Sequence, residues 1–309
     1  MAQPKLIIHG GAGSSLNSKG GIETVRHSLH TVLEKSYALL AAGASALDAV
    51  VLGCELLEDD PIFNAGTGSV LQSDGQIRMS ASLMDGSSQR LSGVINVSRI
   101  QHPINLAKAL QTEADRILSD YGAAELVRSL AMPVYDPTIE SRLREWLDER
   151  DRDFRSKMAN VVAESAGRGT IGVVALDEQG RLAAGTSTGG KGFERIGRVS
   201  DSAMPAGNYA TEQAAISCTG IGEDIIDESL ATRIVVRVTD GLSLRAAMER
   251  SFTEAQRRQR DLGAIGLDAT GAIAWGKTSE VLLAAYHTGE KMGDTLEWRD
   301  DALTGSIEG

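Results

Sequence analysis

Residues 170 to 188 leave a folding chain few choices. Thr170-Ile171-Gly172-Val173-Val174-Ala175-Leu176 is a run of strand formers. Asp177-Glu178-Gln179-Gly180 follows as a turn, and Arg181-Leu182-Ala183-Ala184-Gly185-Thr186-Ser187-Thr188 returns. Antiparallel pairing of the two runs brings Thr170 and Thr188 side by side at the open end. A lone threonine hydroxyl is a poor nucleophile. It improves when the preceding bond is cut, because the new α-amine, with a pKa of about 7.7–8.0, then serves as its base. The hairpin therefore predicts a precursor that cuts itself between Gly169 and Thr170. Gly-Thr pairs also occur at Gly66-Thr67 and Gly185-Thr186, so the surroundings carry the argument, not the dipeptide.

Those surroundings divide at the same point. Residues 138–169 hold a densely charged stretch, Glu140 to Asp153, and then Ser165-Ala166-Gly167-Arg168-Gly169, which together read as a linker ending at the cut. Before it, Leu6-Ile7-Ile8 predicts a buried strand ending in His9-Gly10-Gly11-Ala12-Gly13, a turn without Walker or Rossmann spacing. Apolar periodicity predicts a helix over 22–42, stopped at Gly43, and a second one capped by Ser45. Leu57 to Gly68 is a Pro/Asn/Gly loop. A hairpin is expected from Val70-Leu71 and 77–84 about Ser73-Asp74-Gly75, then a strand at 93–97 and a helix over 103–131. After the hairpin come helices at 223–237 and 243–262, strands at 264–268, 271–275 and 281–286, and an acidic tail from Gly289 expected to be partly disordered. Strands, helices and strands again predict an α+β chain of layered sheets with helices outside.

Two further clusters follow the hairpin. Arg198 and Asp201 lie three residues apart, a guanidinium for a carboxylate and a carboxylate for an ammonium, together a grip for an amino-acid group. The plainer alternative is a local ion pair. Thr219 and Gly220 offer a hydroxyl and an amide to a developing oxyanion; the alternative is a cap for a helix entering Glu223-Asp224. Cys218 lacks a convincing histidine partner and reads as an inert buried thiol. The formal net charge of −11 argues against nucleic acid or an anionic membrane as partner. Two cysteines give no disulfide framework, and no leader-like or membrane-spanning apolar run is seen, so a cytoplasmic protein is expected. His27 and His30 have helical spacing, but no further ligands join them as a zinc set.

In this order, Ile8-His9-Gly10-Gly11-Ala12-Gly13, Pro61 to Gly68, Met84-Asp85-Gly86, Gly169 to Asp177, Thr186-Ser187-Thr188-Gly189-Gly190, Gly197-Arg198-Val199 with Asp201, and Cys218-Thr219-Gly220 span most of the chain. They resemble the plant-type asparaginase/isoaspartyl aminopeptidase family of N-terminal-nucleophile hydrolases. The resemblance implies a four-layer αββα sandwich, cut into an α subunit (1–169) and a β subunit (170–309), with two such pairs forming a dimer. It implies Thr170 as nucleophile, Thr188 tuning it, Arg198 and Asp201 binding the substrate α-carboxylate and α-amine, and Thr219 and Gly220 as the oxyanion hole. Asn64 would line the site. No cofactor would serve the chemistry. A structural sodium ion would be held by backbone carbonyls of Leu57, Glu58, Asp60, Phe63, Ala65 and Thr67. The expected substrates are small: L-asparagine and β-aspartyl dipeptides. Ser200 replaces the usual glycine, and Lys191 to Ile196 is nearer to glycosylasparaginases, whereas Gly169 favours the asparaginase branch. A glycosylasparaginase-like hydrolase and a non-processing binding protein of the same fold are the alternatives.

Overall fold

The structure is a computed structural model that describes residues 2–13, 16, 19–152, 154, 169–298 and 302–309. Residues 153 and 155–168 of the expected linker lie outside the described residues. The strands are β1 (Lys5–Gly13), β2 (Met79–Asp85), β3 (Arg90–Val97), β4 (Ile117–Ser119), β5 (Ile171–Leu176), β6 (Leu182–Thr188), β7 (Asn208–Ala210), β8 (Ala214–Gly220), β9 (Leu262–Asp268), β10 (Ile273–Lys277), β11 (Val281–His287), β12 (Met292–Asp294) and β13 (Thr304–Ile307). The helices are α1 (Ile22–Ala41), α2 (Ala46–Asp59), α3 (Pro103–Leu110), α4 (Asp120–Ser129), α5 (Glu140–Asp151), α6 (Gly222–Glu228), α7 (Leu230–Thr239) and α8 (Leu244–Arg257).

Two sheets organise this α+β chain. One runs β12-β11-β1-β5-β6-β2-β3-β4 and the other β13-β10-β9-β8-β7. The period of two in the apolar runs assigns their side chains to opposite faces. Leu6, Ile8 and Val173 join Leu29, Leu33, Val50 and Leu57 of α1 and α2 in one core. Their neighbours Ile7 and Val174 join Ile265 and Leu267 of the second sheet in another. A third core sets Ile216 and Ala264 against Ile234, Val235, Met248 and Phe252 of α7 and α8. Each such side chain taken from water contributes about 1.5–3 kcal/mol. The first two cores clamp β5 and β6 at the middle of the first sheet. The expected hairpin forms in register from Ile171↔Ser187 to Leu176↔Leu182. Asp177 closes its turn by accepting from the backbone N–H groups of Gln179 (3.0 Å) and Arg181 (2.9 Å). Ser45 caps α2 as expected, accepting from Asp48 N at 3.1 Å.

Several expected boundaries move. Val70-Leu71 is not a strand: the Ser73–Gly75 turn is held within a loop by Gln72 N to Gln76 O (2.9 Å) and by the Trp146 indole N–H on Gln72 O (2.9 Å). The true hairpin pairs β2 with β3. The expected helix over 103–131 is broken. Gln111 turns its amide onto Leu83 O (2.8 Å) and Ser92 Oγ (2.9 Å), and Ile117–Ser119 then runs parallel to β3. The segment 223–237 bends at Ser229, whose φ of 48° lies in the left-handed region, so two helices stand where one was expected. The tail from Gly289 contributes β12 and β13, paired with β11 and β10, where partial disorder was expected. Among the described residues, no helix is long and apolar enough to cross a membrane.

Candidate active site

Thr170 stands one residue before β5 and Thr188 ends β6, so the hairpin register sets their separation. The Thr170 hydroxyl donates to Thr188 Oγ1 at 3.1 Å, and both side chains are buried. Thr188 Oγ1 also accepts from Gly190 N at 3.1 Å. Asn64 braces the turn after Thr188. Its amide donates to Gly190 O at 2.7 Å, its Oδ1 accepts from Val70 N at 3.0 Å, and its backbone carbonyl accepts from Gly189 N at 2.9 Å. The end of β1 backs the Gly169–Thr170 bond: a Cβ at Gly11, whose φ is +124°, would lie 2.8 Å from Gly169 Cα.

A pocket opens beside this pair, lined by Gly169, Thr170, Thr188, Gly190, Lys191, Arg198, Ser200, Asp201, Gly220, Ile221 and Gly222. Arg198 and Asp201 converge on one point there, since a Cβ at Gly222 would lie 2.6 Å from Arg198 Nη2 and 2.8 Å from Asp201 Oδ1. They are not bonded to each other as an ion pair. Arg198 instead holds Glu223 side-on, Nε to Oε1 at 3.0 Å and Nη2 to Oε2 at 3.1 Å. That geometry leaves the Nη1 edge of the fork for a second carboxylate. Ser200 starts the short turn that carries Asp201, its hydroxyl accepting from Ser202 N at 3.4 Å. Asp201 is 3% exposed and its Oδ2 has no partner among the described residues. Burial pushes its carboxyl up to about 7, against the pull of Arg198. A buried carboxylate lacking a donor is costly and suits a cationic ligand.

Gly220, the last residue of β8, lines the same pocket, whereas Thr219 just before it does not. The Thr219 hydroxyl oxygen accepts from Ala12 N at 3.1 Å, which leaves its own proton free to donate. The hydroxyl does not cap α6, whose cap position is Ile221. Thr219 is fully buried. Gly220 has φ +125°, and a Cβ there would lie 2.7 Å from Asp261 O, so only glycine fits. Cys218 is buried and its thiol is pushed up by that burial.

The loop from Leu57 to Thr67 folds back on its own carbonyls. Glu58 O accepts from Thr67 N at 2.7 Å and Asp60 O from Phe63 N at 3.1 Å. A Cβ at Gly66, in the left-handed region, would overlap Glu58 O. Leu57, Glu58, Phe63 and Ala65 are fully buried. The partners of three further residues are not visible in the sequence: Glu223 lies in the first turn of a helix, where acidic residues are ordinary, and His9 and Ser217 are polar residues in largely apolar strands.

Comparison with known proteins agrees in extent with this geometry. A family model described as asparaginase matches residues 2–297. An isoaspartyl peptidase/L-asparaginase of Nostoc sp. is 67% identical, with 99% of this chain and 98% of the relative covered. One of Synechocystis sp. is 65% identical, with 96% and 92% covered. A plant-type L-asparaginase of Pyrococcus abyssi is 34% identical, with 91% and 95% covered. The family match takes in the whole first sheet, β7 to β10 of the second and every pocket residue named above, and the chain belongs to the asparaginase family.

Proposed function

We propose that the chain is an autoprocessed amidohydrolase that cleaves β-aspartyl peptides and L-asparagine. The observation that carries this reading is the Thr170–Thr188 hydroxyl contact at 3.1 Å, on a pocket that Arg198, Asp201 and Gly220 also line. Cutting Gly169–Thr170 yields subunits 1–169 and 170–309. The Thr170 α-amine takes the hydroxyl proton as Oγ1 attacks the substrate side-chain carbonyl. Thr188 holds Oγ1 in line. The oxyanion is held by the Thr219 O–H and the Gly220 N–H. Collapse breaks the C–N bond, and the α-ammonium returns the proton to the leaving amine. Water, deprotonated by the same α-amine, then hydrolyses the ester. Arg198 binds the substrate α-carboxylate on its Nη1 edge, and Asp201 binds the α-ammonium. Asparagine and isoaspartyl dipeptides share that aspartyl half, so one site serves both.

Three cores separating two sheets and their helices support reading the fold as a four-layer αββα sandwich. The back-folded loop fits a sodium ion held by the carbonyls of Leu57, Glu58, Asp60, Phe63, Ala65 and Thr67. The Glu58 and Asp60 carbonyls each keep a lone pair beyond the backbone bond they accept, and the ion would fix the loop behind Asn64 without entering the chemistry. Exposed Ile117, Tyr121, Leu130 and Val134, gathered on one segment, support a dimer of cleaved pairs. Two buried free cysteines suit a cytoplasmic setting.

The test is intact mass of freshly purified and incubated protein, followed by assays on L-asparagine, a β-aspartyl dipeptide and a glycosyl-asparagine. Fragments meeting at 169/170 with turnover of the first two are expected. Turnover of the glycosyl substrate alone would mean a glycosylasparaginase, and an intact chain that binds aspartate without turnover would mean a binding protein. The pH profile adds an independent check. Asp201 must be ionised to hold an ammonium, and its folded pKa is raised to about 7. Protonation on the acid side therefore removes the grip, so kcat/KM is expected to rise with pH through about 7. In Asp201→Asn the step near 7 should be lost, leaving only the rise set by the Thr170 α-amine at about 7.7–8.0, and KM should rise. A wild-type profile flat across that range would count against the assignment.

A further inference from the structure

Among the described residues that line the pocket, those with ionisable side chains are Lys191, Arg198 and Asp201, besides the threonines and serine. Lys191 has no part in the chemistry above. The turn that carries it is fixed at the backbone. Gly190 N donates to Thr188 Oγ1 at 3.1 Å, Gly190 O accepts from Asn64 at 2.7 Å, and Lys191 N donates to Glu194 Oε1 at 3.2 Å. Gly190 has φ +97°, and a Cβ there would overlap Glu194 Oε1, so only glycine fits. Two residues on, Phe193 N donates to Leu71 O at 2.8 Å. Lys191 is thus rooted in an ordered turn beside the Thr170–Thr188 pair. Its ammonium reaches to 3.9 Å from Glu223 Oε1, on the carboxylate that already holds Arg198 side-on.

Glu223 is committed to Arg198 by two bonds. Burial opposes its charge, but Arg198 and the nearby Lys191 hold its carboxyl below the ordinary range. At 3.9 Å the lysine stands beyond hydrogen-bond reach of it, and the two side chains are 40% and 49% exposed. An exposed pair of this kind is worth little, and a flexible lysine stem lets the ammonium move to a better-placed anion. The substrates differ in whether they bring one. With an aspartyl half on Arg198 and Asp201, both of those charges are matched. L-Asparagine then releases ammonia and carries no further charge. A β-aspartyl dipeptide carries a second carboxylate, one carbon away from the scissile nitrogen. The reacting carbonyl must meet Thr170 Oγ1, so that carboxylate lies close to the Thr188 turn. Lys191 is the cation rooted there.

We propose that Lys191 forms the leaving-group subsite, its ammonium taking the C-terminal carboxylate of a β-aspartyl dipeptide while Arg198 and Asp201 hold the aspartyl half. This rests on the amidohydrolase reading above. Glu223 stays on Arg198 throughout, and Lys191 exchanges its loose contact with Glu223 for the substrate carboxylate. The residue sets specificity and does not touch the reacting atoms.

The experiment compares full-length wild type, Lys191→Gln, Lys191→Glu and Lys191→Arg on β-aspartyl-alanine and on β-aspartyl-alaninamide, which lacks the second carboxylate. The reading is the ratio of kcat/KM for the acid to that for the amide. Both values come from one preparation, so the fraction cleaved and the folding yield cancel. The different leaving tendencies of alanine and alaninamide are common to all variants and cancel between them. The ratio is expected to fall about three- to tenfold in Lys191→Gln, to fall further in Lys191→Glu, and to stay within about twofold of wild type in Lys191→Arg. The loss on the acid should appear in KM, because the contact is made before the chemistry and kept through it. A ratio that neither Lys191→Gln nor Lys191→Glu moves would overturn the proposal, whether activity falls equally on both substrates or not at all. A loss confined to kcat would overturn it too. If Lys191→Glu does not fold, as judged by Tm, the other two decide: a low ratio in Lys191→Gln beside a wild-type ratio in Lys191→Arg supports the subsite, and equal ratios overturn it. Wild type that turns over neither L-asparagine nor the dipeptide removes the amidohydrolase reading and the subsite with it, whereas turnover with an unmoved ratio removes the subsite alone.

Discussion

Thr170→Ala is expected to remain one uncut chain on incubation and to lose hydrolysis by about 10⁶-fold, the scale of removing a nucleophile outright. The variant keeps the fold, because the alanine still precedes β5 and the β5–β6 register begins at Ile171. It loses the oxygen that stands 3.1 Å from Thr188 Oγ1. One atom is then missing from two reactions. In the proposed mechanism, attack of the hydroxyl on the Gly169 carbonyl starts the self-cleavage, and attack on the substrate carbonyl starts turnover. A serine at the same place keeps the oxygen, so Thr170→Ser should cut and turn over, with a looser rotamer because the methyl group that stiffens χ1 is gone. Intact mass and a single substrate assay read both effects. A Thr170→Ala protein that splits at 169/170, or that retains activity within tenfold of wild type, would end the nucleophile assignment.

The β5–β6 hairpin was legible because its signals are local. A period of two, a four-residue turn and two apolar runs of matched length specify the β5–β6 pairing without help from the rest of the chain. The two threonines follow from that register. Arg198, Asp201, Thr219 and Gly220 were found by motif, and the fold brings Arg198, Asp201 and Gly220 to one pocket. What stayed hidden depends on distant partners. Glu223 reads as an ordinary first-turn acid until Arg198 reaches across from another loop. His9 and Ser217 are 208 positions apart, and nothing local in either strand announces the contact. The helix expected over 103–131 failed for the same reason. Gln111 has good helix propensity, but its amide is satisfied by Leu83 O and Ser92 Oγ on neighbouring strands, and tertiary bonding outweighs a preference of a few tenths of a kcal/mol. The tail's acidity suggested disorder, yet Met292–Asp294 and Thr304–Ile307 supply edge strands to the two sheets, a pairing that composition does not report.

Thr219→Val is expected to lower kcat by about 10²–10³-fold while leaving KM within a few-fold, the effect of removing one oxyanion donor. Valine is close in shape to threonine and suits the strand position at the end of β8. The change therefore removes a hydroxyl and little else. In wild type the hydroxyl oxygen is held by Ala12 N at 3.1 Å. That bond fixes the oxygen as an acceptor, and in the proposed mechanism its proton serves a charge that develops only during reaction. A group used this way stabilises the transition state more than the bound substrate, so the loss belongs in kcat. The Gly220 amide remains, which keeps the variant measurable. Ala12 N loses its partner in Thr219→Val, and a buried unpaired donor costs about 1–3 kcal/mol of stability. Tm should fall accordingly, and Thr219→Ser, which restores both bonds, should recover Tm and kcat together. Were Thr219→Val to lose stability but keep kcat within threefold, the hydroxyl would be a structural acceptor for Ala12 alone, and the oxyanion would have to be held by Gly220 and another donor.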